Sequence, residues 1–143
     1  MSDVLAHVKN LRRISPDLAT SGQPSESDLA IIASEGFDVV INLALHDNPT
    51  YSLKDEPGTV ESLGMEYVHI PVQWENPTKQ DLASFCHAMS RCQGRKVWVH
   101  CAANMRVTAF MGLYLANVVG RSHTEAFALM QSVWTANPSW AAL

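Results

Sequence analysis

The chain has 143 residues, of which 47% are hydrophobic and 17% charged, as in an ordinary globular protein rather than a disordered one. The net charge of −4 argues against nucleic acid or an anionic membrane as the main partner. No apolar run reaches the length of a membrane span, and residues 1–10 lack the apolar core of a signal peptide. Three cysteines without paired spacing indicate reduced thiols and no zinc site. We therefore expect a cytoplasmic protein with one domain over residues 1–143.

The first part of the chain predicts a helix, a hairpin and a second helix. Apolar residues at helical spacing predict a short helix over Ser2–Lys9. A turn with proline then separates two short antiparallel strands, Arg12–Ile14 and Leu18–Thr20. A capping box opens the next helix at Ser25, and Gly36 ends it.

The middle of the chain alternates between strands and helices. Asp38–Leu43 is apolar on both faces, which is typical of a buried strand in a parallel sheet. A short helix over Glu56–Leu63 and a strand over Glu66–Val72 follow. A second capping box opens a longer helix at Thr78, and this helix ends at Gly94.

The last part adds one strand, Lys96–His100, and two helices, Val107–Val119 and Thr124–Trp134. Strands that alternate with helices predict an α/β fold, a three-layer sandwich around a central, mostly parallel sheet of about five strands. Ligands bind at the carboxyl ends of the strands in such folds. The loops after the third, fourth and fifth strands all lie at that edge.

The strand that ends at His100 is followed at once by Cys101, a short loop and a helix. This arrangement points backbone N–H groups at one spot beside a helix N-terminus, and such a spot attracts anions. A thiol with an ordinary pKa of about 8.5 needs a shift of roughly two units, about 3 kcal/mol, to be mostly ionised at pH 7. A helix N-terminus supplies up to ~2 kcal/mol, and each charge-assisted hydrogen bond ~1.5–3. With Arg106 nearby, Cys101 can therefore act as a nucleophile without a neighbouring base.

The sequence from His100 through Cys101 and Arg106 to the hydroxyl residue Thr108 resembles the signature of cysteine-dependent protein tyrosine and dual-specificity phosphatases. The order of elements also resembles a bacterial branch of small phosphatase-like proteins in three upstream blocks: Ile14–Pro24, Gly36–Leu43 and Tyr67–Val72. The resemblance implies a phosphotyrosine-phosphatase-like fold and hydrolysis of phosphate monoesters without a metal or organic cofactor. It implies a phosphorylated protein, a phosphorylated small molecule or an inorganic oxyanion as the partner.

The loop after Cys101 departs from the family pattern in its length. The family has five residues between the cysteine and the arginine, whereas four separate Cys101 from Arg106 here. Asn104 stands at the position of a family glycine, and asparagine is the residue that best replaces glycine where φ is positive. An ungapped count would put Val107 at the arginine position. We expect instead a loop one residue shorter, with Arg106 turned toward the anion.

The resemblance also implies the roles of the residues around this loop. Cys101 attacks phosphorus and becomes a phosphocysteine, and Thr108 stabilises the thiolate when it departs. His100 supports the loop through a hydrogen bond. Phosphate binding falls to the loop residues and the arginine, namely Ala102, Ala103, Asn104, Met105 and Arg106.

The general acid is expected in the loop after the fourth strand. Glu75 stands where the family supplies its acid, and Trp74 beside it offers an apolar wall that raises a carboxyl pKa. Alternatively, Glu75 is a solvated residue that helps to cap the next helix. Asp47, in the loop after the third strand, is the second candidate for the acid.

Two other functions stay open at this point. Sulfurtransferases of the rhodanese type use a loop with similar spacing between a cysteine and an arginine or threonine, form a persulfide and need no carboxylic acid. A displaced arginine and an uncertain acid would also suit a module that binds phosphorylated partners without cleaving them. Turnover of an aryl phosphate, of thiosulfate with cyanide, or of neither distinguishes the three.

Overall fold

Five short strands form one sheet in the computed structural model, which describes residues 4–143. The strands are β1 (Arg12–Ser15), β2 (Leu18–Ser21), β3 (Val39–Asn42), β4 (Glu66–His69) and β5 (Val97–His100). Their order across the sheet is β1-β2-β5-β3-β4. β1 pairs with β2 antiparallel, and every other pairing is parallel. The predicted α/β fold with a mostly parallel five-stranded sheet is confirmed.

Helices cover both faces of this sheet. They are α1 (Glu26–Ser34), α2 (Glu56–Ser62), α3 (Lys79–Arg91), α4 (Met105–Tyr114), α5 (His123–Gln131) and α6 (Pro138–Ala141), and a π-helical segment (Leu115–Val119) continues α4. Both predicted capping boxes are present, at Ser25 and at Thr78. Within residues 4–143, no helix is long and apolar enough to cross a membrane.

The two helical layers enclose separate cores because successive strand residues point to opposite faces. In β3, Val40 packs with α1 and α2, whereas Val39 and Ile41 face α3 and α4. In β5, Trp98 joins the first core, and its indole N–H donates to the Ser21 hydroxyl at 2.9 Å. The central strands are therefore buried on both sides, as their continuous apolar sequences predict.

The predicted N-terminal helix is wrong over its described part, residues 4–9, which form successive turns; residues 2 and 3 lie outside the described residues. The N–H of Val8 donates to the carbonyl of Leu5 at 2.9 Å, and both side chains are buried against α1 and α2. A positive φ of 52° at Asn10 then turns the chain into β1. Consecutive turns place residues i and i+3 on one side as a helix does, so the apolar spacing did not distinguish the two.

Gly112 lies at the contact between α4 and α5, where a side chain has no room. A Cβ there would lie 2.5 Å from Phe127 Cδ1 and 3.2 Å from the carbonyl oxygen of Ala126. We predict that Gly112→Ala lowers the free energy of unfolding by about 1–3 kcal/mol, because the Phe127 ring must shift from its packed position to make room for the methyl group. Denaturant unfolding measures the change.

The matched background for this test is Phe127→Ala, which removes the ring from the contact. In that background, Gly112→Ala should cost almost nothing, because alanine also has the higher helix propensity by about 1 kcal/mol. An equal loss in both backgrounds would show that the α4–α5 contact does not depend on this close approach.

Candidate active site

A cavity of about 320 Å³ opens at the carboxyl edge of the sheet. The loops after β3, β4 and β5 all reach it, together with the first turn of α4. Its lining residues are Asn48, Trp74, Glu75, Cys101, Ala102, Ala103, Met105 and Arg106. A larger, apolar cavity of about 400 Å³ lies among α4, α5 and α6 and is lined by no cysteine or arginine. The chemistry that the sequence indicates is therefore in the smaller cavity.

Cys101 lies in the wall of this cavity at the end of β5. Its N–H donates to the carbonyl of Ser21 on β2 at 3.3 Å, which extends the parallel pairing by one residue. The residue is fully buried in the folded chain. Cys101 borders the cavity, and a helix N-terminus and an arginine beside a cysteine are the electropositive surroundings that favour a thiolate.

The backbone carbonyls of the loop after Cys101 accept hydrogen bonds from residues outside the loop. The carbonyl of Ala102 accepts from the N–H of Gln23 at 3.0 Å, and the carbonyl of Ala103 accepts from Asn10 Nδ2 at 3.0 Å. The carbonyl and the N–H of one trans peptide point in opposite directions, so the N–H of Ala103 is turned away from Gln23. α4 begins at Met105, two residues earlier than predicted, and brings its N-terminus to the same place. This loop therefore presents positive partial charge to the cavity.

Asn104 gives the loop its shape. Its φ of 65° and ψ of 10° are left-handed, as predicted for a residue that replaces glycine. Its side-chain Nδ2 donates to the carbonyl of Asn10 at 2.8 Å and to the hydroxyl of Thr20 at 3.0 Å. Its Oδ1 is buried and has no hydrogen-bond partner among residues 4–143. The side chain thus fastens the loop to the N-terminal turns and to β2.

Arg106 points inward along the cavity wall. The residue is 7% exposed, and its Nε donates to the carbonyl of Val72 at 2.9 Å. The guanidinium carbon lies 5.4 Å from the ring centroid of Trp74, which is within cation–π distance. The two terminal nitrogens bond to no group in the described part of the chain, so both remain available to an anion. Val107, the alternative for this position, is buried in the core below.

Thr108, expected to stabilise the departing thiolate, is not among the residues that line the cavity. With Arg106 facing inward, the family hydroxyl position falls on Val107, and Thr108 lies one residue further, about 100° around the helix. Its hydroxyl donates to the carbonyl of Asn104 at 2.7 Å and accepts from the indole of Trp134 at 3.2 Å. Thr108 therefore holds the loop through the carbonyl of Asn104.

Glu75 lines the cavity with an exposed side chain, whereas Asp47 is exposed and lies outside the lining. The Glu75 loop is fixed by its neighbour Trp74, whose ring lies 5.2 Å from that of Trp134 and 5.4 Å from that of Trp140. The indole of Trp140 also donates to the Trp74 carbonyl at 2.9 Å. Of the two candidate acids, only Glu75 borders the cavity.

His100 is fully buried behind Cys101 and has a partner that sequence reasoning missed. Its Nδ1 faces the carbonyl of Cys101 at 3.2 Å, and its Nε2 lies 2.6 Å from Oε2 of Glu56. Gln23 Nε2 donates to the other oxygen, Oε1, of Glu56 at 2.8 Å. Burial alone would raise the pKa of Glu56, but the charge of His100 and the hydrogen bonds from His100 and Gln23 outweigh it and hold that pKa below its usual value.

The model of the family described as "DSP-PTPase phosphatase fused to NAD+ Kinase" matches residues 11–139. The chain belongs to this family, and it therefore carries a dual-specificity phosphatase domain of the protein tyrosine phosphatase type. A comparison with curated proteins finds no match.

Solved structures of phosphatases share the fold. A putative phosphatase (DUF442) from Shewanella putrefaciens CN-32 has 34% identity and a TM-score of 0.84, over 96% of this chain and 90% of that one. TpbA of P. aeruginosa, in complex with pTyr, has 19% identity and a TM-score of 0.68, over 85% and 72% of the two chains. PTPMT1, in complex with PI(5)P, has 20% identity and a TM-score of 0.75, over 92% and 90%. The last two similarities show the fold alone.

Asn104 gives a prediction that separates its backbone role from its side-chain role. Asn104→Gly keeps the left-handed conformation but loses the two donated bonds, and we expect it to cost about 1–2 kcal/mol of unfolding free energy. Asn104→Ala loses the bonds and also strains the backbone, so it should cost about 1–2 kcal/mol more than the glycine variant. Thermal and denaturant unfolding measure both. Equal stability of the two variants would mean that the positive φ is not imposed by the loop.

Proposed function

We propose that this chain hydrolyses phosphate monoesters through a phosphocysteine formed at Cys101. The observation that carries the proposal is that Cys101, the inward Arg106 and the N-terminus of α4 border one cavity. These groups together supply a nucleophile and the positive charge that a phosphoryl group needs. The family of the chain, a phosphatase family, supports the same conclusion.

In the first step, the Cys101 thiolate attacks phosphorus in line with the leaving oxygen. The S–P bond forms as the P–O bond to the leaving group breaks, and the electron pair passes to the leaving oxygen. Glu75 donates its proton to that oxygen. The guanidinium of Arg106 and the loop N–H groups bind the three equatorial oxygens, where charge is spread in the transition state.

In the second step, a water molecule replaces the leaving group. Glu75, now a carboxylate, takes one proton from this water as its oxygen attacks phosphorus. The S–P bond breaks, and the electron pair returns to Cys101 as a thiolate. Inorganic phosphate leaves, and the enzyme returns to its starting state. We assign to Thr108 a positioning role through the carbonyl of Asn104, because its hydroxyl bonds there.

The substrate that we propose is a phosphorylated protein or small molecule. TpbA is seen with phosphotyrosine and PTPMT1 with a phosphoinositide, so both kinds of substrate occur on this fold. Trp74 in the cavity wall offers an apolar surface to the group that carries the phosphate. The mechanism needs a reduced thiol, which a reducing compartment such as the cytoplasm maintains.

Sulfur transfer is the second candidate, and one observation favours it: four residues, rather than five, separate Cys101 from Arg106. A shorter loop encloses a smaller space, which suits a sulfur atom. The two functions differ in their need for an acid, since persulfide formation from thiosulfate requires none. Parallel assays with an aryl phosphate and with thiosulfate plus cyanide therefore separate them.

The first test of the proposal is Cys101→Ser. We expect turnover of aryl phosphate to fall below detection, because serine is a far weaker nucleophile in this setting, while the unfolding transition stays cooperative. Cys86→Ser, which changes a partly exposed cysteine on α3, is the matched control and should keep full activity. Phosphatase activity that survives in Cys101→Ser would place the chemistry at another site. Turnover of thiosulfate with no turnover of phosphate would favour the second candidate.

The second test concerns the proton donor. We predict that Glu75→Gln slows hydrolysis of alkyl phosphates by ~10²–10⁴-fold, because their leaving oxygens need a proton, and slows aryl phosphates with good leaving groups much less. Steady-state rates on the two substrate classes measure the difference. Asp47→Asn is the control and should leave both rates within about twofold. Equal losses on both classes in Glu75→Gln, or a selective loss in Asp47→Asn, would remove Glu75 from the mechanism.

A further inference from the structure

The buried contact between His100 and Glu56 lies directly behind the nucleophile. The His100 side chain has no exposed surface, and the Glu56 side chain is 2% exposed. Glu56 starts α2, a helix from the opposite layer of the fold to α4. A charged pair excluded from water is costly to form, so every donor and acceptor in it must be matched.

The hydrogen bonds of the pair determine where its protons are. The carbonyl of Cys101 can only accept, so Nδ1 of His100 must carry a proton to bond to it at 3.2 Å. Glu56 accepts from Gln23 Nε2 at one oxygen, and its other oxygen lies 2.6 Å from Nε2 of His100. A carboxylate at Glu56 and a ring protonated at both nitrogens satisfy both contacts of His100 at once.

The other titratable groups near the pair belong to β4 and to the loop after β3. Burial and then the charge of Glu56 raise the pKa of Tyr67, so its phenol stays neutral. Burial lowers the pKa of His69, whose Nε2 bonds to the Ala44 carbonyl at 2.6 Å. His46 is exposed, stacks on His69 at 3.7 Å and bonds through Nε2 to the Tyr67 hydroxyl at 2.6 Å. None of these three replaces the carboxylate that bonds to His100.

We propose that Glu56 is a positioning residue for the nucleophile: its carboxylate keeps both ring nitrogens of His100 protonated, and the charged ring fixes the Cys101 backbone and stabilises the thiolate. Without the carboxylate, a buried imidazolium has no counter-charge and loses a proton. A neutral ring has one N–H, so it must give up its bond to Cys101 or its bond to residue 56. The inference rests on the proposed function insofar as Cys101 is the nucleophile.

The test is Glu56→Gln, read by alkylation of Cys101 with iodoacetamide as a function of pH in the full chain. We expect the pH of half-maximal alkylation rate to rise by about one unit, and the rate at pH 7 to fall by about 3–10-fold, the effect of losing one charge interaction. Mass spectrometry of the modified peptide assigns the rate to Cys101. Because alkylation needs no phosphate turnover, this outcome is independent of whether the chain is a phosphatase.

Glu66→Gln is the matched control. It removes the same charge, but Glu66 lies at the amino end of β4, where it pairs with Arg91 and Arg95 on the surface. Its alkylation profile should match that of the wild type. A folded Glu56→Gln protein with an unchanged profile overturns the proposal, as does an equal shift in Glu66→Gln.

If Glu56→Gln does not fold, the wild-type protein provides the decisive measurement. Nitrogen-15 NMR of the His100 ring distinguishes a doubly protonated imidazole from either neutral tautomer. The proposal requires two protonated nitrogens at neutral pH. A single protonated nitrogen would overturn it.

Discussion

The candidate site depends on hydrogen bonds that hold the backbone carbonyls of one short loop away from the cavity. Between Cys101 and Arg106 the carbonyls of Ala102 and Ala103 are taken by Gln23 and by Asn10, two groups outside the loop. If those carbonyls turned inward, they would present negative partial charge to the cavity and repel an anion. Each such bond contributes only about 1 kcal/mol, but together they decide which end of each peptide faces the ligand. The N-terminal turns and the segment after β2 thus shape the loop that borders the cavity, although neither lines it.

Arg106 is the second fixed element. In solution its side chain would sample many rotamers, but the bond from Nε to the Val72 carbonyl and the contact with Trp74 hold it in one. Trp74 is itself held by Trp134 and Trp140. Trp134, in the segment after α5, and Trp140, on α6, therefore help to fix the guanidinium and the Glu75 loop, although neither residue lines the cavity. This coupling explains how a loop with only four residues between cysteine and arginine still directs the arginine inward.

Local signals in the sequence were sufficient for the sheet, for both capping boxes and for the loop after β5. Continuous apolar runs identified β3 and β5, and the asparagine in the loop indicated its positive φ. Glu56 was not predictable, because its partner His100 is 44 residues away and only the parallel sheet brings them together. Thr108 lies outside the cavity lining because one missing loop residue rotates every later helix position by about 100°. Contacts between residues far apart in the chain, rather than local propensities, determine the features that the sequence did not predict.

The central claim is that Arg106 and the loop after Cys101 bind a tetrahedral oxyanion. Isothermal titration with tungstate, an unreactive oxyanion, tests it on the wild type, Arg106→Ala and Arg106→Lys. The account predicts that alanine weakens binding by at least about tenfold, because a charge-assisted contact of ~1.5–3 kcal/mol is lost. Arg106→Lys should not restore tungstate affinity, because the single ammonium group of lysine cannot make the bidentate contact of a guanidinium. Tungstate affinity that is unchanged in Arg106→Ala would contradict the account.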